Sequence, residues 1–247
     1  MSEPATPFSW RAALFDRDSF VPVLLLAVAS MMALPFADSS NQTGALIVFP
    51  FSAGLLLLAL HRSHVRPRTF RLALGVLIVV GVGTTASTIV RIATDTDEQR
   101  LIVVEMFLYA VLFGVTFPAI VRRAFQHRRV TLNTLAAAIS AYIVIGLWFA
   151  VIYRGLSAAE DFVFFRDVTD PAAGDYVYFS FITMTTVGYG DFVPITDGGR
   201  AMAVLEAVLG QVFLVTAVAR VVSLLGTEAP GPGSAGHDFA LDETEPD

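Results

Sequence analysis

Thr186-Val187-Gly188-Tyr189-Gly190-Asp191 decides how this chain is read. The loop is polar and carries two glycines, yet it lies between two long apolar runs, 132–153 and 201–225. Residues 175–185 just before it read as a short aromatic helix, and Phe192-Val193-Pro194 leads away from it. An ordinary extended strand alternates its carbonyls from side to side. To aim successive carbonyls at one axis, the backbone must alternate between right- and left-handed conformations. Gly188 and Gly190 supply residues that accept positive φ, because they have no Cβ to clash.

Gly-Tyr-Gly by itself is a common turn. Here the whole block Thr183-Met184-Thr185-Thr186-Val187-Gly188-Tyr189-Gly190-Asp191 sits between membrane-length runs, and it resembles the selectivity filter of tetrameric potassium channels. The resemblance covers residues 132–225 or so. It implies that Thr186, Val187, Gly188, Tyr189 and Gly190 form the filter. Carbonyls of Thr186 to Tyr189 would replace the water shell of a potassium ion, with the Thr186 hydroxyl below them. Potassium is then the permeant ion, and no cofactor is implied. One such loop per chain implies four chains around one axis, a homotetramer.

Other positions take their meaning from the same resemblance. Asp191 would add negative potential at the outer mouth. Some family members pair this aspartate with a carboxylate four residues before the filter threonine. Ile182 stands there instead, so that partner is absent. Tyr178 and Phe179 occupy positions where related channels place aromatics that brace the filter tyrosine; generic packing is the competing reading. Gly210 lies twenty residues beyond Gly190, where inner helices often carry a hinge glycine. A packing contact is the other reading of that glycine. Glu206 and Gln211 flank it, and a carboxylate at membrane depth is a functional candidate by default. Glu206 is expected to back the pore helix or filter, and Gln211 to face the cavity.

Composition agrees with a membrane protein. Hydrophobic residues make up 55% of the 247 and charged residues only 15%, and the mean hydropathy is +0.67. A soluble surface would need more charge. The net charge of −6 comes from acids in outer loops and the last twenty residues. No basic cluster with interleaved aromatics suggests nucleic acid. All 16 basic residues are arginine. Cysteine is absent, which excludes disulfides, thiolate metal sites and thiol nucleophiles. His61, His64, His127 and His237 lack metal-ligand spacing and read as loop residues.

Six apolar runs follow in order: 20–37, 44–60, 72–92, 101–121, 132–153 and 201–225. The expected fold is an all-α membrane protein with six transmembrane helices, a re-entrant pore helix and a filter loop. Residues 1–19 read as a cytoplasmic arm, with Phe8, Trp10 and Phe15 fitting either an interfacial helix or a frayed terminus. A cleavable leader ending near Ala37 is disfavoured by the long arm before it. Residues 20–129 form a four-helix, sensor-like region, in which Gly83 and Ser87 are small residues four apart. Residues 130–226 form the pore domain. Residues 227–247 are rich in Pro, Gly and acids and read as disordered, with no nucleotide-binding pattern. The pore helix has two candidate starts, Asp170-Pro171 and Asp175.

Loops 61–71 and 122–129 carry four arginines each, whereas the alternate loops hold Asp95, Asp97, Glu98, Glu160, Asp161, Asp167 and Asp170. The positive-inside rule then puts both termini in the cytoplasm of a multi-pass plasma-membrane protein, with the loop entering from outside. The fourth run has no arginine ladder: Glu105 is its single charge, and it can pair with Arg91 or Arg100. Voltage independence is therefore expected. Passive conduction needs no catalytic group, so an enzyme is not expected. A transporter-type assembly would need internal repeats, and none is found. A regulatory or poorly conducting subunit, assembled with others, is the alternative.

Overall fold

The computed structural model describes residues 19–33, 44–63, 65–94, 99–126, 131–159 and 163–225. Among these residues the regular secondary structure is all-helical, with no strand. The helices are α1 (Val21–Ala33), α2 (Gly44–Arg62), α3 (Pro67–Thr94), α4 (Gln99–Gln126), α5 (Leu132–Ala159), α6 (Ala173–Met184) and α7 (Asp197–Leu225). Three segments are long and apolar enough to cross a membrane among the described residues: Pro67–Ala86, Leu132–Ala159 and Asp197–Ser223.

In lipid every polar backbone group must be satisfied within the helix, and hydroxyl side chains follow the same rule. Thr84 donates to the Val80 carbonyl at 2.8 Å, Thr116 to Leu112 at 2.8 Å and Thr216 to Val212 at 2.6 Å. These back-bonds satisfy each hydroxyl hydrogen from within its own helix.

α5 is the centre of the molecule: it packs against α1, α4, α6 and α7. Its small residues Ala136, Ala137, Ala141 and Gly146 permit that close approach. Gly146 is the tightest point, since a Cβ there would lie 2.8 Å from Cζ of Phe181 on α6. On the α4 side Phe117 stacks on Trp148, with ring centroids 6.4 Å apart. Ser19 caps α1 by accepting from the Val21 N–H, and its hydroxyl donates to Asn133 at the start of α5.

Most helices outrun the apolar runs that mark them. α3 begins at Pro67, so Arg68 and Arg71 lie inside it rather than in a loop. Proline suits a first helical turn, where its missing N–H has no helical partner in any case. α4 continues past Val121 through Arg122 and Arg123. α7 starts at Asp197, four residues before its apolar run, because the Thr196 hydroxyl accepts from the Gly199 N–H at 3.1 Å.

α6 corrects both expected starts. Its N-cap is Ala172, and Asp175 reaches back from the third helical position to accept the Ala172 N–H at 2.8 Å. A carboxylate there satisfies an orphan donor and faces the positive end of the helix dipole. The helix ends at Met184, one residue short of the expected 185.

The readings of the arm through residue 18 and of the tail from 226 lie outside the described residues. So do the calls on His64, His127, His237, Asp95, Asp97, Glu98, Glu160, Asp161, Arg128 and Arg129, and on the side chains of Glu105, Arg91 and Arg100.

Candidate functional site

The loop hangs from the carboxyl end of α6. The Thr185 N–H donates to the Phe181 carbonyl and the Thr186 N–H to Thr183. Val187 and Gly188 both donate to the Ile182 carbonyl, at 2.9 and 3.1 Å. Ile182 thus anchors the loop through its backbone while its side chain is buried. From there φ turns positive at every second residue: Thr186 (61°), Gly188 (52°) and Gly190 (81°). The two glycines were legible in the sequence. Thr186 was not, because a β-branched residue in the left-handed region is a backbone outlier. Strain of that kind costs of order 1–3 kcal/mol and persists where the surroundings impose it.

The loop's side chains face away from the chain's own core. Tyr189 is 73% exposed and Val187 50%. A Cβ on Gly188 or Gly190 would meet nothing within 4 Å, so conformation rather than space selects glycine there.

Asp191 is held from two sides. The Tyr178 hydroxyl donates to its Oδ2 at 2.7 Å, and the Phe192 N–H donates to its Oδ1 at 3.1 Å. The Tyr178 and Phe192 rings meet edge to face at 5.6 Å. Tyr178 therefore bonds the aspartate that follows the last loop glycine. Phe179 points the other way, into a buried ring cluster with Tyr153 at 5.0 Å and Phe165 at 5.2 Å. The segment that returns from the loop is fixed by residues 164–166: Arg166 N–H donates to the Val193 carbonyl and Ile195 N–H to Phe164. Tyr178→Phe removes one of the two holds on Asp191 without disturbing the core. The unfolding midpoint of that variant should stay at the parent's value, since Tyr178 lies outside the buried core.

Behind α6 lie the groups from α5 and α7. Glu206 is fully buried and accepts from the Tyr153 hydroxyl at 2.6 Å. Its other oxygen meets the Ser180 hydroxyl, which also lies 2.7 Å from the Gly146 carbonyl. The Tyr142 hydroxyl donates to the Met184 carbonyl, one of the groups a helix end leaves without a partner. Gly210 sits against Met184: a Cβ there would fall 2.5 Å from Met184 Cγ. α7 runs through Gly210 unbroken, and Gln211 beside it is half-buried. Tyr153, Ser180, Tyr142 and Gly146 were not singled out in the sequence. The signal was there in part, as hydroxyls within otherwise apolar helices. Among the described residues no cluster of His, Asp and Glu could hold a metal ion.

Residues 130–226 match a family model described as an ion channel. Potassium voltage-gated channel subfamily A member 2 of Xenopus laevis is 34% identical over 84 residues, which covers 32% of this chain and 17% of that protein. Subfamily A member 10 of Homo sapiens is 32% identical over 84 residues, covering 32% of this chain and 16% of that protein. Subfamily A member 6 of Rattus norvegicus gives the same figures. The chain thus spans only about a sixth of the length of these curated relatives. The likeness is to an ion-channel region, over residues 130–226, and the relatives that share it are potassium channels by name.

Proposed function

We propose that this chain is one subunit of a homotetrameric, six-span potassium channel of the plasma membrane, conducting potassium passively and without steep voltage dependence. The observation that carries the reading is the alternation of left-handed backbone at Thr186, Gly188 and Gly190 in an exposed loop at the carboxyl end of α6. Such alternation turns successive carbonyls to one side, where rings of them from four chains replace an ion's water shell. The α6 dipole adds negative potential beneath the loop. Asp191 adds more at the outer mouth.

Four chains fit the surface chemistry. α7 exposes Val204, Leu205, Val208, Val212 and Val215, and the loop side chains find no cover in their own chain. Closed rotational symmetry covers such surfaces with further copies. In this reading residues 20–129 are the sensor-like region, residues 130–226 the pore, and both termini are cytoplasmic. The reversal potential of the full chain in bilayers, with potassium on one side and sodium on the other, tests the proposal. A large displacement toward the potassium equilibrium value is expected. A reversal near zero overturns selectivity, and an absence of current favours a regulatory subunit.

Voltage enters through residues 101–121. Moving one elementary charge across the field is worth about 2.3 kcal/mol per 100 mV. That segment contains no arginine. Conductance should accordingly vary little with voltage; a steep sigmoid with several gating charges per subunit would refute this part.

A further inference from the structure

The cluster behind α6 requires a hydrogen that its hydroxyl groups do not supply. Three oxygen–oxygen contacts run in a chain: Tyr153 to Glu206 Oε2, Glu206 Oε1 to Ser180, and Ser180 to the Gly146 carbonyl. All three are of hydrogen-bond length, so each needs one hydrogen between its oxygens. A phenol brings one and a serine hydroxyl brings one. A peptide carbonyl and an ionised carboxylate bring none. The sum is one short, whichever way the hydroxyls rotate.

A neutral carboxyl completes it. Tyr153 donates to Oε2, the Oε1 proton goes to Ser180, and Ser180 donates to Gly146. Burial argues the same way. Glu206 is shut away from solvent within a single chain, and desolvating a bare carboxylate is costly without a cation to pair with it. The titratable groups that face it are Tyr153 and Tyr142 from α5. α6 contributes the neutral Ser180, and its Tyr176 bonds Ser157 instead. On α7 itself Arg200 is turned to the Pro194 carbonyl.

We infer that Glu206 is a proton-binding site: a neutral carboxylic acid whose hydrogen closes the Tyr153–Glu206–Ser180–Gly146 chain and clamps α6 between α5 and α7. Stripping the proton at alkaline pH sets Ser180 and Gly146 lone pair against lone pair, or leaves a buried charge beside hydroxyls alone. The clamp then loosens at the base of the loop. Only the effect of this on conduction rests on the channel reading. Losing this hydrogen takes a hydrogen bond from the folded chain, so the clamp's contribution to stability goes when the proton leaves.

Infrared difference spectra of the full chain in lipid vesicles, parent against Glu206→Gln, test the assignment. The parent should show a protonated-carboxyl stretch at neutral pH that Glu206→Gln lacks and that disappears reversibly at alkaline pH. Its unfolding midpoint should fall over the same range, while that of Glu206→Gln, whose amide supplies the missing hydrogen, stays flat. Ser180→Ala should keep the band but move it to higher frequency, since one hydrogen bond is gone; this carries the test if the glutamine variant does not fold. A parent without the band at neutral pH overturns the inference, as does a band that survives Glu206→Gln or ignores Ser180→Ala. No current is needed for these readings. A chain that shows the band yet conducts nothing overturns the channel reading alone.

Discussion

Gly188→Ala is expected to abolish potassium selectivity or conduction while four chains still assemble. Gly188 sits at φ 52°, and its missing Cβ would meet nothing within 4 Å. The penalty for alanine is therefore conformational: roughly 1–2 kcal/mol for an L-residue held left-handed. A ring of four would carry it four times over. Each loop escapes by moving residue 188 to negative φ, which breaks the alternation between Thr186 and Gly190 and turns a carbonyl away from its neighbours. About 1.4 kcal/mol already shifts such an equilibrium tenfold. The flux of potassium should fall by that factor or more, or the reversal potential should collapse toward zero. Cross-linking in mild detergent serves as the control, with a ladder stopping at four for parent and variant alike. An unchanged reversal potential would mean that the left-handed turn at Gly188 does not govern ion choice.

What the sequence made legible follows from what lipid demands of it. Apolar runs must be long to cross a membrane, so every described helix other than α6 could be located from its run, and α6 from its place before the glycine loop. Boundaries were less legible, because helical hydrogen bonding continues past the apolar stretch into residues such as Arg68, Arg71 and Arg122. Capping at a distance hid the start of α6: Asp175 acts from inside the helix on Ala172, so the acid marks a position three residues on. In the loop, Gly188 and Gly190 announce their φ by lacking a side chain, whereas nothing in a threonine announces the left-handed φ of 61° at Thr186. Glu206 drew notice as a carboxylate at membrane depth. Its partners did not, since Tyr153 is 53 residues away along the chain and Ser180 is 26, and only the packing of α5, α6 and α7 brings the three together.

Gly210→Ala separates the two readings of that glycine, hinge and packing contact. A Cβ at 210 would lie 2.5 Å from Cγ of Met184 and 3.5 Å from its carbonyl oxygen, and Met184 is fully buried at the end of α6. Neither side has room to give, because the Met184 carbonyl is also held by Tyr142 at 3.2 Å. Overpacking of this kind typically costs about 1–3 kcal/mol. The unfolding midpoint of Gly210→Ala should fall accordingly, and that of Gly210→Val should fall further. Met184→Ala removes the opposing Cγ. Alone it leaves a cavity and destabilises by about 2–5 kcal/mol. Combined with Gly210→Ala it should cost less than the sum of the two, with a coupling of about 0.5–3 kcal/mol, since the new methyl occupies the vacated space. A glycine needed for bending alone would behave otherwise. Alanine would then change the fraction of time the pore is open, leave the midpoint where it was, and show no coupling to residue 184. The physical distinction is that a contact is felt by the resting fold, whereas a hinge is felt when α7 moves. Additive midpoints in the double variant would therefore remove the packing role and leave Gly210 to bending.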